Sequence, residues 1–265
     1  MSQFGSARLY RSDVGLLERT YFRLFGLADP SHFIRSHCFR RFTNSLRPSK
    51  ILDAGCGAAD YTFFMAEQWP QAHVHALDVD KAQILKNQDT LRRMKPKNID
   101  FGCQDITSLA ESETYDFITC IDALEHIEDQ TAVLRNFHRA MKTEGVLYLH
   151  IPLVRPRPVP FSKHLHSMDE WSEHEHIAPM RTKEDILKMV EEAGLRVSRW
   201  QYTFAYHAGE LACSSFALFH DDTTMNRIAQ LFLSPITRML AYLELATTRT
   251  DRTEGFALAL LARKV

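Results

Sequence analysis

Short apolar runs alternate with helical patterns along the first 150 residues of the chain. Apolar side chains recur at helical spacing in 62–68, 81–94 and 130–141, and we predict helices there. Between and around them lie five apolar runs that we predict as strands, at 50–52, 73–78, 99–105, 115–122 and 145–151. Strands that alternate with helices predict βαβ units and a parallel sheet with right-handed crossovers.

The rest of the chain extends this pattern at both ends. We predict a capped helix over 182–192 that leads into a sixth strand at Leu195, and a final strand over 256–261. We therefore predict a helical cap or lid over 1–47, a core over 48–205, an apolar helical insertion over 206–255 and a final core strand over 256–265.

Acidic residues end four successive predicted strands, at Asp53, Asp78, Asp105 and Asp122. After the first of them, Gly55 and Gly57 occupy the turn from strand to helix. Glycine allows a tight turn and a close approach of the backbone to a ligand. The alternative is that the two glycines form a plain tight turn that binds no ligand. Asp78 lies 25 positions after Asp53, near the ~20-residue separation between a glycine turn and a ribose-binding acid.

These motifs resemble those of class I S-adenosylmethionine-dependent methyltransferases. The match covers about residues 48–152, and 120–127 (Cys-Ile-Asp-Ala-Leu-Glu-His-Ile) resembles the ubiquinone and menaquinone methyltransferase-like branch. The resemblance implies a Rossmann-like α/β fold, a seven-stranded, mostly parallel sheet with helices on both faces, and S-adenosylmethionine as cofactor. The cofactor-binding residues that it implies are Asp53 and Gly55 at the methionyl part, Gly57 in the turn, Asp78 at the ribose, Asp105 and Ile106 at the adenine, and Cys120.

Two residues after the glycines bear on the choice of cofactor. Ala59 replaces the family's usual third glycine, which predicts a slightly looser turn. A dinucleotide fingerprint would need glycine where the chain has Asp60. An acid before the first glycine also suits the methionyl ammonium, so we favour S-adenosylmethionine over NAD.

The fourth strand end carries the candidate catalytic residues. We predict His126 as a general base and Asp122, four positions earlier, as the acid that orients its imidazole on a shared helical face. The alternative is that His126 only caps a helix and does not act as a base. Asp122, Glu125 and His126 also resemble a divalent-metal cluster of some relatives, although we assign no metal site.

Composition excludes several classes of protein. The chain has 265 residues, a formal net charge of −1 and five cysteines. The charge gives no support to nucleic-acid binding, and the odd cysteine count favours a reducing compartment. We find no signal-peptide pattern and no apolar stretch of the ~20 residues that span a bilayer. We therefore expect a cytoplasmic protein.

Two regions outside the core have alternative interpretations. In 1–47, eight arginines alternate with aromatic residues, which is typical of a solvated helical cap or of a lid over the cofactor. In 206–255, apolar residues follow a helical pattern that we expect to break at Ser234-Pro235. The apolar face of this helix could cover the sheet, form a homodimer interface, bind a hydrophobic substrate or contact a membrane peripherally.

We predict methyl transfer to a small-molecule or lipid-like acceptor and favour oxygen as the methylated atom. The segment 152–181, with five prolines and four histidines, would line the acceptor. Alternatives are an N- or C-methyltransferase, an RNA 2′-O-methyltransferase and a non-catalytic, cofactor-binding partner protein. The sequence leaves open the acceptor, the methylated atom and the oligomeric state.

Overall fold

The computed structural model describes residues 4–154, 180–204, 224–246 and 254–265. Besides three short 3-10 turns (Ser6–Leu9, Ile106–Ser108 and Leu124–His126), these residues form helices and strands in the following order: α1 (Leu16–Phe25), α2 (Pro30–Thr43), β1 (Lys50–Ala54), α3 (Asp60–Gln68), β2 (His73–Asp78), α4 (Lys81–Met94), β3 (Ile99–Cys103), β4 (Tyr115–Ile121), α5 (Gln130–Ala140), β5 (Met141–Pro152), α6 (Lys183–Glu192), β6 (Leu195–Thr203), α7 (Thr224–Ala246) and β7 (Ala257–Lys264).

The strands form one seven-stranded sheet in the order β3-β2-β1-β4-β5-β7-β6. The first five strands pair in parallel, whereas β7 runs antiparallel to both of its neighbours, β5 and β6. The strand order reverses between β1 and β4, and ligands in open α/β sheets bind at such a switch point, beyond the carboxyl ends of the strands. The predicted fold class is confirmed, and its topology places a ligand site beyond β1 and β4.

Helices cover both faces of the sheet. Consecutive residues of β1 illustrate this arrangement, because Ile51 and Leu52 are both fully buried but belong to different apolar clusters. Ile51 packs with the side of α2 and α3, which contributes Phe39 and Phe63, and Leu52 with the side of α5 and α6. A strand buried on both faces is continuously apolar, which explains why β1 was recognisable as an apolar run.

The predicted boundaries agree with the structure for most core elements. Helix α4 begins and ends where the periodicity places it, and α3 starts two residues earlier than expected. Strand β5 extends from Met141, whereas its apolar run begins at Gly145. Of the additional residues, Met141 pairs with Tyr115 of β4, and the register shifts before Phe117 pairs with Val146. Such an irregularity interrupts the apolar pattern from which the strand was predicted.

The predicted break at Ser234-Pro235 is wrong, since α7 continues through Pro235. Proline removes one backbone hydrogen bond and usually kinks a helix. Here Pro235 is exposed, whereas Ser234, Thr237 and Ala241 are buried. Helix α7 packs against α2, and this packing stabilises the helix despite the proline. No helix of the described ranges is long and apolar enough to cross a membrane.

The helices before β1 pack against the core. Phe39 of α2 is fully buried, and its ring lies 5.0 Å from that of Tyr148 on β5. Arg8, in the first 3-10 turn, forms a 2.6 Å ion pair with Asp60 at the start of α3. The described part of the predicted cap therefore adjoins the glycine turn. The division of the chain into cap, core and insertion stays a prediction.

Candidate active site

The loops after β1 and β4 meet at the switch point of the sheet. Gly55 has a φ of +75°, and a Cβ at this position would lie only 2.5 Å from the Cβ of Ala123, in the loop after β4. Its N–H and that of Cys56 both donate to the carbonyl of Leu77 at 2.9 Å. Glycine is therefore required at 55 both by backbone conformation and by space.

The second half of the turn leaves room for a ligand. Gly57 has a φ of +47°, and a Cβ placed on it would have no atom within 4 Å. Ala59 adopts a left-handed φ of 62° as the residue before α3, so it has the conformation that a third glycine would take more easily. The turn keeps its shape at Ala59, at the cost of some backbone strain.

Asp78 connects the end of β2 to this turn. Its carboxylate accepts hydrogen bonds from the Gly57 N–H at 2.7 Å and from the Asp80 N–H at 2.9 Å. The residue is partly exposed, and a carboxylate has capacity for more than two hydrogen bonds. The position is therefore suitable for accepting ribose hydroxyl groups.

Asp53 lies beneath the turn rather than at its surface. Only 3% of the residue is exposed, and its carboxylate accepts hydrogen bonds from the hydroxyl groups of Thr62 at 2.5 Å and Thr119 at 2.9 Å. Burial raises the pKa of Asp53 to about 6, although both hydrogen bonds oppose the rise. A nearby methionyl ammonium would favour the charged form of this carboxyl. Its contact with the cofactor stays a prediction.

We expect Asp53 to make stability depend on pH. The pKa of Asp53 is about 6 in the folded protein and about 3.9 in the unfolded chain. The contribution of Asp53 to stability is therefore fully present below pH 4 and is lost as the pH rises through 6. Relative to Asp53→Asn, the free energy of unfolding of the wild type should fall by roughly 2–3 kcal/mol over this range. Urea titrations at pH 4–7 would measure the difference.

Thr62→Val is the matched variant for this experiment. It removes a hydrogen bond that lowers the pKa of Asp53, so the loss of stability should extend to higher pH. Parallel pH profiles for the wild type and Asp53→Asn would contradict the assignment of the raised pKa to Asp53.

The predicted adenine-side residues follow β3. Asp105 is exposed and caps the next 3-10 turn by accepting from the Thr107 N–H at 2.8 Å. The side chain of Ile106 is buried in the core, so only its backbone could contact a ligand. Val79, which directly follows Asp78, is 72% exposed and offers an apolar surface for a base. Sequence reasoning did not single out Val79.

Asp122 has different partners from those predicted. It precedes the short 3-10 turn Leu124–His126 with a φ of 48°, so it does not share a helical face with His126. One carboxylate oxygen accepts from Arg35 of α2, and the other is 2.5 Å from Nδ1 of His150. The expected orientation of His126 by Asp122 is therefore wrong, while the catalytic role of either residue stays a prediction.

His150 is held as a neutral imidazole. Burial, with the charge of Arg35 as a second cause, lowers its pKa to about 3. A carboxylate can only accept, so Nδ1 donates to Asp122 and Nε2 accepts from the Thr203 hydroxyl at 3.0 Å. Asp122 thus links α2 to β5 and β6 at the carboxyl end of β4.

Glu125 and His126 lie in the 3-10 turn after β4. Only 4% of Glu125 is exposed, and its Oε2 has no hydrogen-bond partner among the described residues. Burial raises the pKa of Glu125 to about 7. His126 is half-buried.

In the described part of the chain, Asp122, Glu125 and His126 form no metal-binding group, and neither do any other histidine, cysteine or acidic residues. The histidines of the predicted acceptor segment, at 164, 166, 174 and 176, lie outside the described residues.

Cys120 is fully buried among core residues of β4, and burial raises the pKa of its thiol. Like Ile106, it could reach a ligand only through its backbone. In the described ranges, Cys56, Cys103 and Cys120 are free thiols.

Residues of the N-terminal helices add charge beside the turn. Asp60 is buried, which by itself raises its pKa. The charge of Arg8 outweighs burial, and the pKa of Asp60 is lowered. His32 of α2 lies 3.9 Å from Asp60, and burial lowers the pKa of His32 to about 4. Within the part of the chain that the structure describes, its Nδ1 and the hydroxyl of the adjacent Tyr61 are buried without hydrogen-bond partners. Unpaired polar atoms beside the turn are consistent with a polar ligand.

The arrangement fits S-adenosylmethionine. The glycine turn leaves open space at Gly57, Asp78 presents a carboxylate, and Val79 presents an apolar side chain. Sequence reasoning missed Thr62, Thr119 and Arg35 among the residues that organise the site. Each acts through a partner at least nine positions away. The arginine-rich pattern of 1–47 was the one available signal, and it did not distinguish Arg35 from its neighbours.

Comparisons with known proteins agree with this geometry. A family profile described as "Methyltransferase domain" matches residues 31–199. A malonyl-[acyl-carrier protein] O-methyltransferase of Bacillus anthracis is 31% identical over 119 residues, which are 44% of this chain and 42% of the relative. A ubiquinone biosynthesis O-methyltransferase of Idiomarina loihiensis is 31% identical over 118 residues, or 44% and 45% of the two chains. The chain thus spans less than half the length of these relatives.

A solved structure resembles the whole chain more distantly. Phosphoethanolamine N-methyltransferase 2 of Haemonchus contortus, in complex with S-adenosyl-L-methionine, has a TM-score of 0.65 and 16% identity, and the match covers 98% of this chain and 60% of that one. At this identity the likeness establishes the fold alone. Because the family profile covers most of the chain and the glycine turn has the matching geometry, the chain belongs to the class I S-adenosylmethionine-dependent methyltransferases.

Proposed function

We propose that the protein transfers a methyl group to an oxygen atom of a small-molecule or lipid-like acceptor. The observation that carries the proposal is the contact between Gly55 and Ala123. This contact brings the cofactor turn against the loop that also holds Asp122, Glu125 and His126. Groups able to accept a proton thus lie beside the predicted position of the methyl donor.

The chemistry needs alignment and, for a hydroxyl acceptor, removal of a proton. S-adenosylmethionine supplies a methyl group on a sulfonium, and the electron pair of the breaking S–CH3 bond goes to sulfur. The acceptor oxygen forms the new bond and loses its proton to a base. His126 is the base that we propose, and Glu125, with its pKa near 7, is its rival. Asp122 is held by Arg35 and His150 and acts as a positioning residue.

The names of the curated relatives support methylation at oxygen. Both the malonyl-[acyl-carrier protein] and the ubiquinone relatives are named O-methyltransferases, and each is about 31% identical to this chain over the matched part. A malonyl group ends in a carboxylate, and the precursors of a quinone carry ring hydroxyl groups. A carboxylate acceptor would need no base, whereas a ring hydroxyl would.

Identification of the methylated product tests the proposal directly. The purified protein would be incubated with S-adenosylmethionine labelled on the methyl group and with two sets of acceptors, apolar thioesters with a free carboxylate and prenylated catechols. A base-labile label indicates a methyl ester, and NMR of the product shows whether a stable label is bound to oxygen or to carbon. Transfer only to amine acceptors such as phosphoethanolamine would overturn the assignment to oxygen.

His126→Ala should lower turnover with a hydroxyl acceptor by about 100-fold, a typical contribution of a general base. Its dissociation constant for S-adenosylmethionine should change little, because His126 is not among the predicted cofactor-binding residues. Steady-state kinetics and calorimetric titration would measure the two quantities.

Glu125→Gln is the matched variant, because it removes the rival base while keeping the size of the side chain. Normal turnover of His126→Ala together with a large loss in Glu125→Gln would move the role of base to Glu125. Normal turnover of both variants would leave neither residue as the base.

A further inference from the structure

Helix α7 has its apolar and polar sides reversed relative to an ordinary surface helix. Towards the protein it buries Ser234, Thr237, Ala241 and Glu244, none of which is more than 1% exposed. These residues are spaced three, four and three positions apart, so they lie on one face of the helix. A surface helix normally places its apolar stripe against the core, but α7 places small and polar residues there.

The opposite face of α7 is apolar and exposed. Phe232 is 80% exposed, and Ile236, Met239 and Leu243 are each at least half exposed. They follow the complementary spacing of four, three and four positions. In the described range 229–246 the charged residues are Arg238 and Glu244, and Glu244 is buried. Within 229–246, the exposed face of α7 thus carries no acidic side chain.

The end of α1 continues this apolar area. Arg238 of α7 donates hydrogen bonds to the carbonyls of Phe25 and Leu27, which fixes the end of α1 beside α7. Phe25 and Tyr242 line one groove together with Arg238, and both rings are more than half exposed. We call Phe25, Phe232, Ile236, Met239, Tyr242 and Leu243 the outer surface.

The region next to the outer surface is positively charged. Residues 4–47 contain eight arginines and no lysine, against three acidic residues, Asp13, Glu18 and Asp29. Arg8, Arg11 and Arg35 are paired with Asp60, Asp13 and Asp122, so the excess positive charge comes from the other arginines. The whole chain has a formal charge of −1, so the remainder is acidic. Arg23, two positions before Phe25, is exposed. An apolar helix face flanked by arginines matches the interface of a bilayer with anionic headgroups.

We propose that the outer surface binds the interface of an anionic lipid bilayer, with α7 lying in the plane of the membrane. No described helix can span a bilayer, so the contact is peripheral. Two copies meeting through this surface would bring two arginine-rich regions together, and repulsion between like charges disfavours that arrangement. The proposal is independent of the acceptor and of the methylated atom.

Vesicle sedimentation with the full chain, free of cofactor and acceptor, tests the proposal. The wild type should sediment with vesicles of mixed phosphatidylcholine and phosphatidylglycerol, and less with phosphatidylcholine alone. Ile236→Ser/Met239→Ser should bind the anionic vesicles about tenfold or more weakly, because two large apolar side chains no longer enter the interface. Arg23→Glu should weaken binding to the anionic vesicles alone.

Leu85→Ser/Val265→Ser is the matched control. It also removes two exposed apolar side chains, 55% and 70% exposed, but outside the outer surface, and should sediment like the wild type. The proposal is overturned if the wild type does not bind anionic vesicles, or if Ile236→Ser/Met239→Ser binds them normally. A dimer in solution that this double variant dissociates would assign the surface to a second copy instead. Methyl transfer is measured separately, so failure of one proposal does not affect the other.

Discussion

Asp78→Ala should weaken the binding of S-adenosylmethionine by about 100- to 10,000-fold. The predicted role of this carboxylate is to accept hydrogen bonds from both ribose hydroxyl groups, and a hydrogen bond to a charged group contributes roughly 1.5–3 kcal/mol. The same carboxylate accepts from the Gly57 N–H, so its loss also loosens the glycine turn. Calorimetric titration with S-adenosylmethionine measures the change in affinity.

Asp80→Ala is the control for Asp78→Ala. Asp80 lies two positions later and caps α4 by accepting from the N–H groups of Ala82 and Gln83. Its removal should cost about 1 kcal/mol of stability and leave cofactor binding nearly unchanged. If Asp78→Ala binds S-adenosylmethionine as tightly as the wild type, Asp78 has no role at the ribose.

The elements of the core could be predicted because their signals are local. Strand β1, for example, is buried on both faces and therefore forms a continuous apolar run at Ile51 and Leu52. Helix α4 is bounded by Asp80, whose side chain caps its first turn, and by Lys95 in a left-handed conformation. The glycine turn could be recognised because tight backbone geometry restricts the residues that a position accepts.

The contacts that complete the site could not be predicted, because they join distant parts of the chain. Arg35 and Asp122 are 87 positions apart, and Arg8 and Asp60 are 52 apart. No periodicity relates such residues. The regular Asp122-to-His126 spacing suggested a shared helical face, but the left-handed backbone at Asp122 directs its carboxylate to Arg35 and His150 instead. At Pro235, likewise, packing against α2 outweighs a local signal.

Gly55→Ala should destabilise the protein and abolish measurable cofactor binding. The new Cβ would lie 2.5 Å from that of Ala123, far closer than two carbon atoms can approach. The φ of +75° adds roughly 1–2 kcal/mol for any residue with a side chain. We expect a total loss of about 3 kcal/mol or more and a Tm lower by about 6–12 °C, which thermal unfolding would measure.

Gly57→Ala separates the effect of the ligand from the effect of the fold. Its φ of +47° is also left-handed, but a Cβ there meets no protein atom within 4 Å. The variant should therefore lose only about 1–2 kcal/mol of stability, while its affinity for S-adenosylmethionine falls by about tenfold or more, because the methyl group fills space that the cofactor needs. Unchanged affinity in Gly57→Ala would place the cofactor elsewhere on the sheet edge. Equal stability of Gly55→Ala and the wild type would contradict the close contact between the β1 and β4 loops, on which the proposed site depends.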